Sequence, residues 1–333
     1  MKRFLGIVGV LGVMVFGIGS LAYGVGSVTV YNSGGGFVGS YTTIQAGVNA
    51  CSTGGTVSAS AGTYNEVVYV NKGIALVGAG SNSTTITASG LGETNTVTFD
   101  GDATNNASIS GFNITGATGS WPNGGMGIYC GTASPSITNN TITGNSYGIS
   151  CDSSSPAIIN NTITGNSCGI YCYYSSPSIT NNTISGNSTG IYCYSYLWYS
   201  SPSITNNTIS GNSGYGIYCK YSSSPSILSI TNNIITSNGT ASTSYYGIYN
   251  HYGTQIIDYN CVWNNGSNGH NNYYSCYARP NDISANPRFI GAGDYHLVSI
   301  SLCIDRGSNT VVINNLGAIM IINPIVTCAC CAI

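Results

Sequence analysis

Apolar and polar residues alternate in short segments along most of the chain, and these segments return in near-identical copies. Each strong copy has the form Ile-X-Asn-Asn-X-Ile, and most are followed by Gly-Ile-Tyr-Cys or a close variant. A period of two places Ile and Cys on one face of a β-strand and Tyr on the other. The pattern therefore predicts short strands with one apolar face, separated by turns of Gly, Asn and Ser. The strong copies begin at residues 137, 158, 179, 204 and 230, and weaker copies begin at residues 109 and 257.

The spacing of the copies predicts the fold. Successive copies begin 21 to 28 residues apart, and a unit this short cannot bury its apolar face alone. Stacked units would bury continuous columns of Ile and Cys. This predicts an all-β, single-stranded, right-handed parallel β-helix, a solenoid over residues 25–310. A leucine-rich repeat has a similar period, but its Leu signature and its helical stretches are absent from the sequence.

Two ladders of identical side chains are predicted inside this stack. The second Asn of each pair is expected at a corner, where amides about 4.8 Å apart can hydrogen-bond along the axis. Buried Cys behaves as a small apolar residue, so the Cys ending each Gly-Ile-Tyr-Cys segment is expected to be a reduced core residue. The predicted Asn ladder is Asn140, Asn161, Asn182, Asn207 and Asn233, continued by Asn260, and the predicted Cys ladder is Cys130, Cys151, Cys172 and Cys193.

The outward positions of the same strands are rich in aromatic residues. Rings stacked about 4.8 Å apart would make an amphipathic strip suited to sugar rings, with Asn and Ser available for the sugar hydroxyls. The alternative is that Tyr occurs there because it favours strands and packs against itself. The predicted carbohydrate-binding residues are Tyr171, Tyr173, Tyr192, Tyr194, Trp198 and Tyr218.

The N-terminus has the features of an export signal. Lys2 and Arg3 precede an uncharged apolar run over residues 4–21, and small residues follow it. This predicts a signal peptide over residues 1–24 and an extracellular, cell-surface or periplasmic location. An uncleaved membrane anchor is the alternative, since the run approaches the length of a short transmembrane helix.

Two further segments lie outside the repeat. Thr42-Thr-Ile-Gln45 matches a capping box, which predicts a short helix with Ile44, Val48 and Cys51 on one face. This helix is expected to cover the open end of the first coil. Residues 311–333 are apolar and Cys-rich, and the repeat assigns them no element.

Charge is scarce in this chain. Charged residues make up 5% of the sequence, where an average protein carries roughly 25%. The formal net charge of −2 excludes the basic footprint expected of a nucleic-acid-binding protein. Membrane association is expected only through an uncleaved signal.

Several segments resemble the pectin-lyase-like superfamily. Thr-Ile-Gln-Ala-Gly-Val-Asn-Ala over residues 43–50, Gly-Thr-Tyr-Asn-Glu over 62–66 and Leu-Val-Gly over 76–78 resemble its first coils. The repeats resemble its parallel β-helix repeats, including those of periplasmic nitrous-oxide-reductase accessory proteins. Residues 281–289, 293–297 and 303–307 resemble a tail of exported members, although Asn286 and Leu302 stand where such tails usually have Asp and Pro. The resemblance implies the fold and leaves the function open, because this fold hosts lyases, hydrolases, adhesins and binding scaffolds.

Catalytic constellations known from such relatives are missing from the sequence. Two-carboxylate glycosidase chemistry requires a pair of acids close together, yet residues 137–235 contain only Asp152 as an acid and Lys220 as a base. Asp100 and Asp102 are the close pair in sequence, in a segment typical of a polar turn. The three His residues lack metal-ligand spacing from the Cys residues. No catalytic residue, metal or cofactor is therefore predicted.

These observations predict an exported, non-catalytic β-helix scaffold that binds carbohydrate through outward Tyr residues. Its expected partner is a glycan or a cell-surface polymer. Two alternatives stay open. One is a carbohydrate-active lyase or hydrolase with an unrecognised site, and the other is a periplasmic accessory or maturation protein.

Overall fold

A computed structural model describes residues 26–101, 106–196, 200–221, 227–251, 254–291, 293–304 and 306–307. The predicted signal peptide and the tail over residues 311–333 lie outside these residues. Strands wind into a parallel β-helix, which confirms the predicted fold class. Within the described residues, no helix has the length and apolar character needed to cross a membrane.

Each coil contributes one strand to each of three sheets, and the Ile-X-Asn-Asn-X-Ile segment forms two of them, one in sheet 1 and one in sheet 2. Sheet 1 also contains two N-terminal strands that pair in antiparallel fashion, Val28–Tyr31 with Phe37–Tyr41 and with Thr56–Ala59. Sheet 1 contains Phe37–Tyr41, Val28–Tyr31, Thr56–Ala59, Ala75–Gly78, Ser108–Ser110, Ser136–Thr138, Ala157–Ile159, Ser178–Thr180, Ser203–Thr205, Ile227–Thr231 and Thr254–Asp258. Sheet 2 contains Gly62–Asn65, Thr84–Thr87, Asn113–Thr115, Thr141–Thr143, Thr162–Thr164, Thr183–Ser185, Thr208–Ser210, Ile234–Thr236 and Cys261–Trp263. Sheet 3 contains Val68–Val70, Val97–Phe99, Met126–Cys130, Tyr147–Asp152, Cys168–Tyr173, Thr189–Ser195, Ile217–Tyr221, Ile248–His251 and Tyr273–Tyr274.

The core consists of columns of one residue type in exact register from coil to coil. Ile137 pairs with Ile158 in sheet 1, Ile142 pairs with Ile163 in sheet 2, and Ile149 pairs with Ile170 in sheet 3. These side chains are fully buried in one continuous core. Stacking thus removes from water the apolar face that a single coil would leave exposed.

The N-terminal helix, Ile44–Ala50, packs on the first coil with Ile44 and Val48 buried in the same core. The predicted capping box is wrong in its residues. Thr43 is the N-cap, and its hydroxyl accepts from the backbone N–H of Ala46 at 3.2 Å. The Glu66 carboxylate accepts from the N–H groups of Ile44 and Gln45 at 2.8 and 2.9 Å. A carboxylate from the adjoining coil therefore satisfies two N–H groups at the start of the helix, which the local capping-box pattern does not indicate.

The two Asn residues of each pair have different roles. The first Asn makes the turn, with φ between 57° and 60° at Asn139, Asn160, Asn181, Asn206 and Asn232. The second Asn is buried, and its side chain joins successive coils. The Asn161 amide group donates to the carbonyl of Ile137 at 2.8 Å and to the Asn182 side-chain oxygen at 3.0 Å.

A second Asn ladder, which the sequence analysis did not identify, lies five residues further along each coil. Its signal is the Gly/Ser-Asn that follows each copy of the repeat. The Asn166 amide group donates to the Asn187 side-chain oxygen at 3.0 Å, and the backbone N–H of Asn166 donates to the same oxygen. The members of this ladder are Asn145, Asn166, Asn187, Asn212, Asn238 and Asn265.

The C-terminal segment folds back over the outer face of sheet 2. Its hairpin pairs Phe289–Gly291 with Asp294–Leu297 in antiparallel fashion. A small second core forms where this segment meets the coils. That core contains buried Ile234, Cys261 and Cys303, with Ile283, Phe289 and Leu297 packed against it.

Candidate functional site

Outward Tyr residues of sheet 3 form a stacked column, here called the Tyr ladder. Because the strands are in register, Tyr171, Tyr192, Tyr218, Tyr249 and Tyr274 lie at equivalent positions of five successive coils. The distances between successive ring centroids are 5.4, 4.9, 4.6 and 4.5 Å, and successive ring planes differ by 18° or less. The period-two pattern of Gly-Ile-Tyr-Cys thus produces a regular aromatic array.

Stacking determines which part of each ring faces the solvent. Tyr192, Tyr218 and Tyr249 each have a parallel ring on both sides. Their faces are therefore covered by neighbouring rings, and the strip presents ring edges and hydroxyl groups. Burial, followed by the neighbouring Tyr218, raises the pKa of Tyr192 to about 12.

A second, shorter aromatic column lies two residues further along the strands. Tyr173 stacks on Tyr194 with 5.9 Å between centroids and 6° between planes. Trp121, from an earlier loop, packs against Tyr173 at 4.9 Å and against Tyr171 at 6.1 Å. No pattern in the sequence indicates that Trp121 lies on this face, because its loop belongs to no copy of the repeat. Trp198, predicted as part of the strip, lies outside the described residues.

An open groove of about 490 Å³ lies beside the Tyr ladder and is here called the Tyr215 groove. Tyr215 reaches over the ladder and contacts Tyr218, Tyr245 and Tyr249 at centroid distances of 4.7, 4.9 and 5.4 Å. Burial, followed by the neighbouring Tyr218, raises the pKa of Tyr215 to about 12. Among the described residues, no charged side chain lines this groove. The lining is Ser188, Thr189, Tyr192, Ser213, Gly214, Tyr215, Tyr218, Ala241 and Tyr245.

The repeat predicts Tyr192 and Tyr218 as site residues but not Tyr215 or Tyr245. The available signal was weak. Tyr215 directly precedes Gly216 of a Gly-Ile-Tyr-Cys copy, and Tyr245 lies in the longer turn before the next copy. Turn length varies between coils, so the repeat alone does not indicate where such residues point.

Two acids lie on the same outer face, in the coils that precede the first ring of the Tyr ladder. Phe99 pairs with Cys130, and Cys130 pairs with Cys151, so Asp100 and Asp152 are two coils apart in one column. At about 4.8 Å per coil the backbones of the two residues are roughly 9.6 Å apart. The Tyr129 hydroxyl donates to Asp152 at 3.3 Å. Burial, then the nearby Asp152 and Asp100 charges, raises the pKa of Tyr129 to about 12.

Asp102, which is close to Asp100 in sequence, lies outside the described residues. The fold places Asp100 on the same face as Asp152, 52 positions away in the chain. Asp152 and Lys220 are three coils apart in one column, separated by Tyr173 and Tyr194.

A larger groove, of about 760 Å³, separates sheet 2 from the C-terminal hairpin and is here called the hairpin groove. Its floor is a polar array of outward Thr, Ser and Asn side chains. Its wall carries Tyr295 and a contact between the His296 ring and the Asp294 carboxylate. The lining is Asn139, Asn160, Asn161, Thr162, Thr164, Asn181, Thr183, Ser185, Gly293, Asp294, Tyr295 and His296.

The inward Cys residues occupy the column expected for them. This column is in register from coil to coil, is fully buried and consists of thiols in this structure. Its members are Cys130, Cys151, Cys172 and Cys193. Burial raises the pKa of the Cys130 thiol well above its ordinary value. No group of three or more His, Cys, Asp or Glu side chains within the described residues could hold a metal ion. Three further Cys residues close together in sequence, Cys328, Cys330 and Cys331, belong to the Cys-rich tail and lie outside the described residues.

The stacked coils define the parallel β-helix class of protein. The sequence profile described as "Right handed beta helix region" matches residues 57–197 and 95–286. The chain therefore belongs to the right-handed β-helix family. No sequence among curated proteins matches the chain.

Solved structures with a similar course of the chain come from proteins of low sequence identity. One is a variant of the catalytic domain of a GH87 α-1,3-glucanase in complex with nigerose, 14% identical, with a TM-score of 0.43 and coverage of 66% of this chain. The match spans about half of that domain, 52% of its length. Another is the A-module of mannuronan C-5 epimerase AlgE4 from Azotobacter vinelandii, 18% identical, with a TM-score of 0.40 and coverage of 76% of this chain and 93% of the module. These similarities concern the fold.

Proposed function

We propose that this chain is a non-catalytic β-helix scaffold that binds carbohydrate in the Tyr215 groove and along the adjoining Tyr ladder. The observation that carries the proposal is the composition of that groove. It combines four Tyr rings with the hydroxyl groups of Ser188, Thr189 and Ser213. No charged side chain is found in its described lining.

This composition suits a neutral sugar. A sugar ring has an apolar face of C–H groups and a rim of hydroxyls, so it is best bound where an aromatic surface adjoins donors and acceptors. Tyr215 is not part of the parallel stack, because its plane is tilted 50° to Tyr218 and 81° to Tyr245. It therefore supplies an aromatic surface that the ladder rings, covered on both faces, cannot offer. The ladder extends the site with one Tyr hydroxyl per coil, each able to donate and accept.

Glycan binding by the purified protein tests this proposal. Screening on a glycan array identifies a ligand, and calorimetry then compares variants. Tyr215→Ala should weaken binding by about 1–3 kcal/mol, the scale of lost aromatic contact and burial. Tyr277→Ala is the matched control, because Tyr277 is 85% exposed and lies outside the groove. Equal affinity of Tyr215→Ala and the parent would refute the groove as the site, and a parent that binds no glycan would refute the function.

Export forms part of the same proposal. It is supported by the basic pair Lys2 and Arg3 before the apolar run over residues 4–21. N-terminal sequencing of the protein recovered from expressing cells tests it. Cleavage after residue 22 or 24 is the expected result, and a mature chain that retains Lys2 would contradict it.

A second function, hydrolysis of a glycosidic bond, is favoured by one observation, the Asp100–Asp152 pair beside the Tyr ladder. Their backbones lie two coils, or roughly 9.6 Å, apart on one face, a spacing that lets the side chains bring the carboxyl groups to the roughly 6.5–9.5 Å used by inverting glycosidases, in which one carboxyl protonates the leaving group and the other activates water. A polymer lying along the ladder would extend over this pair.

Reducing-end release from any glycan that the protein binds distinguishes the two functions. A scaffold releases none. Release that disappears in both Asp100→Asn and Asp152→Asn, and persists in Asp294→Asn, would replace the scaffold proposal with the hydrolase. Asp294 is a suitable control because it lies in the hairpin groove, away from the ladder.

A further inference from the structure

One outward column of sheet 2 changes character at the last two coils. The first residue of the strand is Thr141, Thr162, Thr183 and Thr208 in four successive coils, then Ile234, then Cys261. The next residue along the last strand, Val262, points into the core. Cys261 therefore faces outward, unlike the thiols of the Cys ladder. The column becomes apolar where the C-terminal segment covers it.

A second thiol from that segment lies directly on Cys261. The sulfur atoms of Cys303 and Cys261 are 2.7 Å apart, and both residues are buried. Ile283, Phe289 and Leu297 pack around the pair, so the contact lies inside a small core. Contact with the Cys261 thiol, opposed by burial and assisted by Ser301, lowers the pKa of the Cys303 thiol. A lower thiol pKa raises the fraction of thiolate, the reactive form in disulfide exchange.

We propose that Cys261 and Cys303 form a disulfide that fastens the C-terminal segment to the last coils of the helix. The oxidant is an external disulfide, either a small molecule or an exchange protein. The Cys303 thiolate attacks one sulfur of that disulfide, forming a mixed disulfide and releasing the first external thiolate. Cys261 then loses its proton and attacks the Cys303 sulfur, releasing the second. Two protein thiols become one S–S bond, and the external disulfide takes up the two electrons and two protons.

This bond would fix the wall of the hairpin groove. Asp294, Tyr295 and His296 belong to the covering segment, which the bond would anchor a few residues later, at Cys303. The crosslink spans 42 positions of the chain, so it would exclude extended conformations of the segment between them. The Cys ladder, by contrast, lies entirely inside the coil core and takes no part in this step.

Peptide mapping after treatment with oxidised glutathione tests the proposal. The folded protein is oxidised, denatured, alkylated without reduction and digested with trypsin. Trypsin sites separate the segment that contains Cys261 from the segment that contains Cys303. Cleavage after Lys220, Arg288 and Arg306 gives peptide 289–306, with Cys303 as its single Cys, and peptide 221–288, with Cys261 and Cys276. A Cys276→Ser background leaves one candidate partner. The expected product is peptide 221–288 joined to peptide 289–306, lighter than the sum of the two by two hydrogen atoms.

Cys261→Thr is the control, since Thr occupies the equivalent position in four earlier coils. In that variant Cys303 should be recovered alkylated or carrying glutathione. Two outcomes would overturn the proposal in the Cys276→Ser protein. One is full alkylation of both Cys261 and Cys303 after oxidation. The other is Cys303 that carries glutathione while Cys261 is alkylated, because Cys261 would then be unable to complete the exchange.

Discussion

At the scale of single residues, neighbouring Asn side chains of identical chemistry perform unlike tasks. Asn181 takes a left-handed backbone conformation with φ of 58° and makes the turn. Asn182 is 1% exposed. Its amide group donates hydrogen bonds to the carbonyls of Ile158 and Thr180 and to the side-chain oxygen of Asn207. The first position requires a permissive backbone, and the second requires an amide that both donates and accepts.

Asn182→Ala should lower the free energy of unfolding by about 1–3 kcal/mol, because it leaves buried carbonyl and N–H groups of adjoining coils unpaired. Asn181→Gly should change it far less, since glycine adopts positive φ without strain. Denaturant unfolding followed by circular dichroism measures both. Equal losses for the two variants would show that the buried amide contributes no more than the turn.

At the scale of elements, the N-terminal helix depends on a side chain from another part of the chain. Glu66→Ala removes the acceptor of two helical N–H groups, so the free energy of unfolding should fall by about 1–2 kcal/mol. Glu66→Gln keeps one acceptor oxygen and should lose less. Hydrogen exchange at Ile44 and Gln45 provides a local readout. Unchanged exchange at these two amides in Glu66→Ala would contradict the assigned cap.

Elements were predictable from sequence where the repeat defines them. Period-two alternation predicted the inward Ile and Cys columns, and recurrence of the Asn pair predicted the first Asn ladder, because each depends only on register between successive coils. The split of Ile-X-Asn-Asn-X-Ile into two strands was not resolved, since three residues are too few to show a period. Tyr215, Trp121 and the covering segment with Cys303 lie in turns or beyond the repeat. Their positions depend on contacts between distant residues, which no local pattern encodes.

At the scale of the whole molecule, the partly buried Tyr residues on and beside sheet 3 should make the fold sensitive to alkali. The pKa of Tyr129, Tyr192 and Tyr215 is raised to about 12, chiefly by burial, from an ordinary value of 10.0. Between pH 10 and about 12 the unfolded chain therefore loses protons that the folded chain retains. The contribution of these Tyr residues to the free energy of unfolding is fully present below pH 10 and is lost as the pH rises through this window.

Tyrosinate absorbance and far-ultraviolet circular dichroism, recorded together against pH, measure this effect. Both signals should change in one transition, because the ladder ionises as the coils come apart. Tyr192→Phe keeps the ring and removes one such group, so its stability should fall less between pH 10 and 12. Ionisation of the tyrosines near pH 10 with full retention of β-structure would contradict the expected coupling.

The first Asn ladder ends on a carboxylate. In the coil after Asn260, Asp282 occupies the equivalent position. One oxygen of its side chain accepts from the backbone N–H and the amide group of Asn260 at 2.7 and 3.2 Å. Its other oxygen accepts from the Tyr273 hydroxyl and the Arg279 N–H. An ionised carboxylate offers no hydrogen to a further amide, so a chain of hydrogen bonds that runs in one direction stops there. Asp282 therefore ends the array, because it replaces a group that donates and accepts by one that only accepts. Fibril growth requires another molecule to add to the end of the stack in register, and a ladder that ends on a carboxylate is a poor template for such addition.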